Sequence, residues 1–126
     1  MKTSTDNVYD ALEKIFHEPN RLAIMSRLCA ADGETSFSEL RDACNLTDGN
    51  LNRHLKVLEE AGAIKVKKAF VDDKPRTTIA ISKTGLDRFS EYLSALSDVL
   101  KKASDSLPAE KKNEAFVPAG AKAVRA

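Results

Sequence analysis

Between Thr47 and Gly62 the sequence TDGNLNRHLKVLEEAG sets two kinds of residue on opposite sides of a helix. With Leu51 at the origin of a wheel of 100° per residue, Leu55 and Leu58 fall within about 40° of it. Gly49, Asn52, Arg53, Lys56 and Glu60 take the far side, with Asn50 at its edge. Asparagine can pair bidentately with adenine and arginine with guanine, and each such pair discriminates by about 1–3 kcal/mol. Gly49 removes side-chain bulk where a helix end would approach a DNA backbone, and the free N–H groups of a helix N-terminus attract phosphate. Any amphipathic helix has a polar face, however, so this face alone does not separate base reading from plain solvation.

The segment that follows separates them better. The formal net charge is only +1, but it is unevenly spread. Residues 1–62 carry seven Lys/Arg against eleven Asp/Glu, whereas residues 64–76 carry five against two. Those five are Lys65, Lys67, Lys68, Lys74 and Arg76. A nucleic-acid binder needs a local basic footprint rather than a basic average. Ile64, Val66 and Phe70 share one parity and Lys65 and Lys67 the other, which predicts a strand with an inward apolar side; Lys68 breaks that parity. Asp72-Asp73-Lys74-Pro75 is turn chemistry, and the β-branched run Thr77–Ile81 returns as a second strand. A basic hairpin beside such a helix can contact sugar-phosphate or enter the adjacent minor groove. A solvated charged hairpin is the alternative for the cluster taken alone.

The remaining elements must hold this pair in place. Thr5 or Asp6 can cap a first helix carrying Val8, Leu12, Ile15 and Phe16. Pro19 suits the first position of a second helix, with Leu22, Met25, Leu28 and Cys29 on one side and Gly33 beyond its end. Thr35-Ser36-Phe37 can pair as a minor strand, and Ser36 or Ser38 can cap a short third helix holding Leu40 and Ala43. Cys44-Asn45-Leu46 then leads to Thr47, which caps the fourth helix. Two helices joined by three or four residues is the helix-turn-helix spacing. Ser82 caps a last long helix in which Leu86, Phe89, Leu93, Leu96 and Leu100 make a 3-4-3-4 seam, either for a second copy or for packing within one chain.

At 126 residues the chain has the length of one domain plus a tail. We place the domain at 1–103 and a flexible tail, rich in Pro, Ala, Gly and Lys, at 104–126. No apolar run is long enough to span a membrane, and the first residues lack a signal-peptide core, so a cytoplasmic protein with reduced Cys29 and Cys44 is expected. Both thiols fall among apolar helix positions and read as core residues. His54 reads as a structural residue near the core side of its helix. His17, His54 and the two cysteines lack metal-ligand spacing, so no metal and no cofactor is expected. Gly-rich phosphate loops, nucleophile elbows and paired carboxylates are missing, and an enzyme is not expected.

Several of these stretches resemble one family. Glu18-Pro19-Asn20-Arg21-Leu22-Ala23-Ile24 is similar to the second helix of winged-helix regulators of the MarR and ArsR superfamily. Leu51-Asn52-Arg53-His54-Leu55-Lys56-Val57-Leu58-Glu59-Glu60-Ala61-Gly62 resembles their recognition helix and its glycine stop. Lys74-Pro75-Arg76-Thr77, with Ser82-Lys83-Thr84-Gly85, resembles the wing and last helix of a compact MarR-like subgroup. The resemblance spans about Val8 to Leu100 and implies a mainly α protein with a small β-hairpin, an α+β winged helix-turn-helix with a long C-terminal dimerisation helix. It implies a homodimer that binds double-stranded DNA as a transcriptional regulator, a repressor being the expected type, with one recognition helix per half-site. A small-molecule effector of unknown identity is a further expected partner.

Carried over by position, the resemblance implies base contacts from Asp48, Asn50, Asn52 and Arg53, and phosphate contacts from Thr47 and Lys56. It implies a wing contacting DNA through Lys67, Lys68, Lys74, Arg76 and Thr77. It also implies a dimer interface of Val8, Leu12 and Phe16 from the first helix and Phe89, Leu93, Leu96 and Leu100 from the last. Two features depart from the pattern: Asp48 and Gly49 replace neutral polar residues, and Asp72 and Asp73 put negative charge beside the basic wing. The competing function is a winged-helix module that binds protein and leaves its lysines solvated.

Overall fold

Pro19 opens the first α-helix of the described chain. Its ring fixes φ for the first turn, where its missing N–H has no partner to lose. Proline also forces the preceding residue out of helical geometry: Glu18 is extended, at φ −148° and ψ 132°, and its carboxylate accepts from the Arg21 N–H at 2.7 Å. The structure, a computed structural model, describes residues 8–108. It contains α1 (Pro19–Ala30), β1 (Glu34–Ser36), α2 (Phe37–Cys44), α3 (Asp48–Glu60), β2 (Ile64–Val71), β3 (Lys74–Ile81) and α4 (Lys83–Asp105). The strands form one antiparallel sheet in the order β1-β3-β2. Helices dominate and the sheet is small: a winged-helix α+β architecture.

The other three helix starts are set by hydroxyls. Ser36 caps α2 in a reciprocal box with Glu39, Thr47 accepts from the Asn50 N–H at 3.1 Å, and Ser82 accepts from the Gly85 N–H at 2.8 Å. Each satisfies a first-turn donor that the helix itself cannot. Asn45 takes the left-handed conformation (φ 56°) that ends α2, leaving three residues before α3. Leu40 of α2, Leu51, Leu55 and Leu58 of α3, Ile24, Met25 and Leu28 of α1, Ile79 of β3 and Phe89 and Tyr92 of α4 fill the core.

Several expectations are corrected. No α-helix precedes Pro19 among the described residues: Val8–Ala11 is a single 3-10 turn, and the chain then bends through Glu18. The proline-enforced extension of Glu18 keeps the two segments from fusing, and Phe16 is tucked into the core instead. Thr5 and Asp6 lie outside the described residues. On α1 the buried stripe is Ile24, Met25 and Leu28, while Cys29, about 100° past Leu28, is exposed. The hairpin turn is only Asp72-Asp73, both with positive φ (55° and 65°), and Val71 pairs with Lys74 to close it. That pair of left-handed residues matches the twist of a two-residue hairpin loop. Phe70 keeps the inward parity yet is 75% exposed, because from Lys67 to Arg76 the hairpin projects beyond the core. Helix α4 runs through Asp105, two residues past the expected domain end at 103, and residues 109–126 of the tail lie outside the described residues.

The leucine seam of α4 divides. Phe89 is buried within the chain, together with Tyr92 and Ala95, and Leu96 is partly buried against the same core. Leu86, Leu93 and Leu100, seven residues apart, face outward with 48%, 42% and 42% of their surface exposed. Phe16 and Phe89, expected at a dimer interface, are therefore core residues with no surface to offer a second copy. Leu12 packs partly on the core, and the side chain of Val8 is outside the described set.

Candidate nucleic-acid interface

Helix α3 is fixed to the body along one side and bare on the other. Leu51, His54, Leu55 and Leu58 are buried, while Asn50, Asn52, Arg53 and Lys56 are exposed. His54 supplies the polar part of this attachment. Arg21 Nη1 donates to His54 Nδ1 at 3.1 Å, and the Asn20 amide lies 3.4 Å from Nε2. A guanidinium only donates, so Nδ1 accepts and the neutral ring carries its proton on Nε2. Arg21 is itself held by Nε donating to the Ile15 carbonyl at 2.7 Å. The recognition-type helix is thus tied through His54 to the start of α1.

Burial holds the His54 pKa below its ordinary 6.5; the Glu18 carboxylate partly offsets this, and Arg53 and Arg21 add to it. The unfolded chain takes up a proton that the folded state resists. Stability is then flat above the unfolded value and falls as pH drops through about 6.5, until the lowered folded value is reached. The slope contributed is at most about 1.4 kcal/mol per pH unit. Urea unfolding at pH 7.5 and 5.5 measures it, and His54→Gln should flatten the difference; an equal difference in the variant would place the titration elsewhere.

On the bare side, Arg53 Nη2 donates to Asn50 Oδ1 at 3.1 Å, joining the two residues best suited to base edges. With one lone pair of its oxygen engaged, Asn50 still presents its NH2, and the remaining Arg53 N–H groups point outward as donors. Asp48 is held by Arg41 Nη1 at 2.9 Å, and Arg41 also binds Asp42 at 3.0 Å. Its acid therefore serves the helix start and the α2–α3 connection, and it must leave Arg41 to meet a base. The Thr47 hydroxyl accepts from Asn50 N–H, which leaves its own hydrogen to donate to a phosphate.

The hairpin stands beside this face. An open groove of about 550 Å³ runs between α3 and the sheet, with Asn52, Lys56 and Glu59 on one wall and Val66, Lys68 and Thr77 on the other. Lys68 and Thr77 are directly paired across the strands. Lys67, paired with Thr78, falls on the opposite sheet face, as do Lys74 and Arg76, opposite Val71 and Ala69. Lys74 and Arg76 line a second open groove with Ser36 and Ser38 at the start of α2. The expected wing residues thus serve two faces rather than one.

Three residues here escaped the sequence reading: Arg41, Arg21 and Arg88. Arg88 of α4 donates to the Ala61 carbonyl at the end of α3 (2.7 Å) and grips Glu13 (2.7 and 3.4 Å), with its guanidinium over the Phe16 ring. Arg21 and Arg88 bridge segments far apart in sequence, where spacing carries no signal, and Arg41 reaches Asp48 across the α2–α3 turn, outside any helical period. Burial pushes both thiols above their ordinary pKa, Arg27 opposing this weakly at Cys44, which is not the setting of a reactive thiolate. Among the described residues there is no cluster of His, Cys, Asp or Glu able to hold a metal, and no helix long and apolar enough to cross a membrane.

Known proteins share this arrangement. The family profile described as "Winged helix DNA-binding domain" matches residues 20–100, most of the chain and all of the site. The chain belongs to the winged-helix DNA-binding domain family. An uncharacterized protein of Methanocaldococcus jannaschii is 38% identical over 80 residues, 64% of this chain and 86% of its own. The transcriptional regulator homologue of Pyrococcus horikoshii OT3 superposes with a TM-score of 0.70 at 31% identity, covering 78% of this chain and 97% of its own. The organohalide-sensing regulator RdhR, solved with 2,4-dichlorophenol, has the same fold (TM-score 0.68, 22% identity, 86% and 64% covered). The winged-helix chain is thus a DNA-binding domain of the transcriptional-regulator type.

Proposed function

We propose that this protein regulates transcription by binding duplex DNA as a homodimer, with α3 in the major groove and the β2–β3 wing against the neighbouring backbone. The observation that carries the reading is the Asn50–Arg53 pair, exposed on a helix whose opposite side is locked by Leu51, His54 and Leu58. The guanidinium's donors suit the N7 and O6 acceptors of guanine, so Arg53 reads guanine and Asn50 orients it. Asn52 is the second base reader; Thr47, Lys56, Lys68 and Thr77 hold phosphate. Lys67, Lys74 and Arg76 add attraction from the far face of the wing. Asp48 contributes to base contact only on release from Arg41.

For dimerisation the outward stripe Leu86, Leu93 and Leu100 offers a heptad-spaced apolar ridge, with the partly buried Leu96 of the same helix at its margin. Repression by occluding a promoter is the simplest output of such a dimer. A small-molecule effector, of the kind RdhR binds, would act by changing the relation of α4 to α3, which Arg88 already joins.

The test is salt-dependent binding to a random-sequence duplex pool, followed by selection of bound fragments. Affinity should fall steeply with salt as neutralised phosphates release counterions. Arg53→Ala should cost about 1–3 kcal/mol on the selected site and relax preference at one base pair. If the wild type shows no salt-sensitive duplex binding, the protein-docking module is the better reading.

A further inference from the structure

The hairpin tip carries an apolar residue that no described residue covers. Phe70 is 75% exposed, it pairs across the strands with Pro75, which is also exposed, and the adjoining Val71 is 45% exposed. The register from Ile64↔Ile81 to Val71↔Lys74 is unbroken, so side chains alternate faces without a slip. Phe70 and Pro75 therefore stand on the face that carries Val66, Lys68 and Thr77, the wall of the groove opposite α3. Two residues further along the strand, Phe70 extends that wall about 7 Å outward past Lys68.

Charge identifies the occupant. Five basic residues, Lys65, Lys67, Lys68, Lys74 and Arg76, line the two strands and draw the hairpin to a polyanion. At the turn itself Asp72 and Asp73 repel phosphate, and the nearest cations, Lys74 and Arg76, lie on the other sheet face, so the face with Phe70 has no ionic contact of its own at the tip. A phenyl ring gains nothing from a phosphate oxygen either. Its gain lies against deoxyribose and the faces of unstacked bases, where apolar side chains act as wedges in the minor groove.

We infer that Phe70, backed by Pro75, is a minor-groove wedge: when α3 occupies the major groove, the ring enters the flanking minor groove and partly opens one base step. Pyrimidine–purine steps open at least cost, so the wing adds a preference for such a step at a position α3 never touches. This rests on the duplex-binding reading above and assigns that reading a second, shape-dependent source of specificity.

The chain contains no tryptophan, so Phe70→Trp places a single indole at the tip. Duplex recovered by selection, long enough for two half-sites a helical turn apart, is titrated against it. Shielding of the indole from acrylamide at saturation is expected. Phe70→Ala should bind the same duplex roughly tenfold more weakly, as expected for an unburied ring. Its salt slope should stay unchanged, because no counterion is displaced by an apolar contact; Lys68→Gln should flatten the slope by about one unit. Selection with Phe70→Ala should lose the flanking pyrimidine–purine step. An indole equally accessible in the saturated complex overturns the wedge, even if Phe70→Ala weakens binding, since the ring then only braces Pro75. Shielding that needs no DNA and grows with protein concentration overturns it in favour of a second copy. Absence of wild-type duplex binding sinks the regulator reading itself, whereas wild-type binding with a bare indole sinks the wedge alone.

Discussion

Replacing Gly85 with alanine should destabilise the protein by about 3 kcal/mol or more. A Cβ built on Gly85 would stand 1.9 Å from the Ala63 carbonyl oxygen and 2.7 Å from its carbon. Both are backbone atoms, so no side-chain rotation relieves the overlap. Gly85 sits in the first turn of α4, and the chain around Ala63 is fixed from both sides. Ala63 N–H donates to the Leu58 carbonyl and Ser82 N–H to the Ala63 carbonyl, while Ser82 Oγ donates to the Gly62 carbonyl. The methyl group must either push α4 away or pull the exit of α3 out of place. Both moves open the core at Leu58 and Phe89. Gly49→Ala is the matching control: its Cβ would meet nothing within 4 Å, and alanine's helix propensity makes the change neutral or stabilising by up to about 1 kcal/mol. Urea unfolding decides. A midpoint for Gly85→Ala equal to that of the wild type would mean that α4 is not seated on Ala63.

The contrast between these glycines shows where sequence reading stops. Gly62, φ 80°, was legible as a helix stop because a left-handed residue after an apolar-periodic run needs glycine. Gly85 carried no such mark: its constraint is a neighbour twenty-two positions earlier. Caps behaved like Gly62. Thr47 and Ser82 announced α3 and α4 through local chemistry, Ser36 and Ser38 were both open for α2 until the structure showed Ser36, and the short connection through Asn45 was legible to within one residue. The exposed face of α3 was legible for the same reason, since periodicity says which residues share a side. Periodicity does not say how far the body extends. Phe70 has the right parity for the core but lies beyond its reach, and Cys29 lies one step off a buried stripe. The ion pair Arg41–Asp48 and the His54 network needed the fold before they could be seen at all. That pairing also changes how Asp48 is understood, from a misplaced acid at a DNA-facing helix start to one already matched to a cation.

The two sides of α4 give the second large effect, because the inner side packs on Phe16 and the outer side meets solvent. Phe16→Ala should cost about 3–5 kcal/mol. Its ring is fully buried, meets Phe89 edge-on at 5.3 Å and Tyr92 at 5.8 Å, and lies under the Arg88 guanidinium. Removing it leaves a cavity among aromatic neighbours that cannot close over it, and it frees the segment before Pro19. Leu93→Glu with Leu100→Glu should do the reverse. Both leucines already meet solvent, so the stability of a single chain should change by no more than about 0.5 kcal/mol per site. The proposed dimer should instead fall apart, two carboxylates per chain then facing each other across the ridge. Leu96 is a poor choice for this test because it packs partly on the core and would mix the two effects. Sedimentation and urea unfolding on the same samples separate the outcomes. A wild type that sediments as a monomer would remove the ridge from the account of assembly. A double variant that unfolds as readily as Phe16→Ala would mean that Leu93 and Leu100 belong to the core after all. Coupled loss is the informative intermediate: if unfolding of the wild type depends on protein concentration and that of the variant does not, the ridge stabilises the fold only through a second copy.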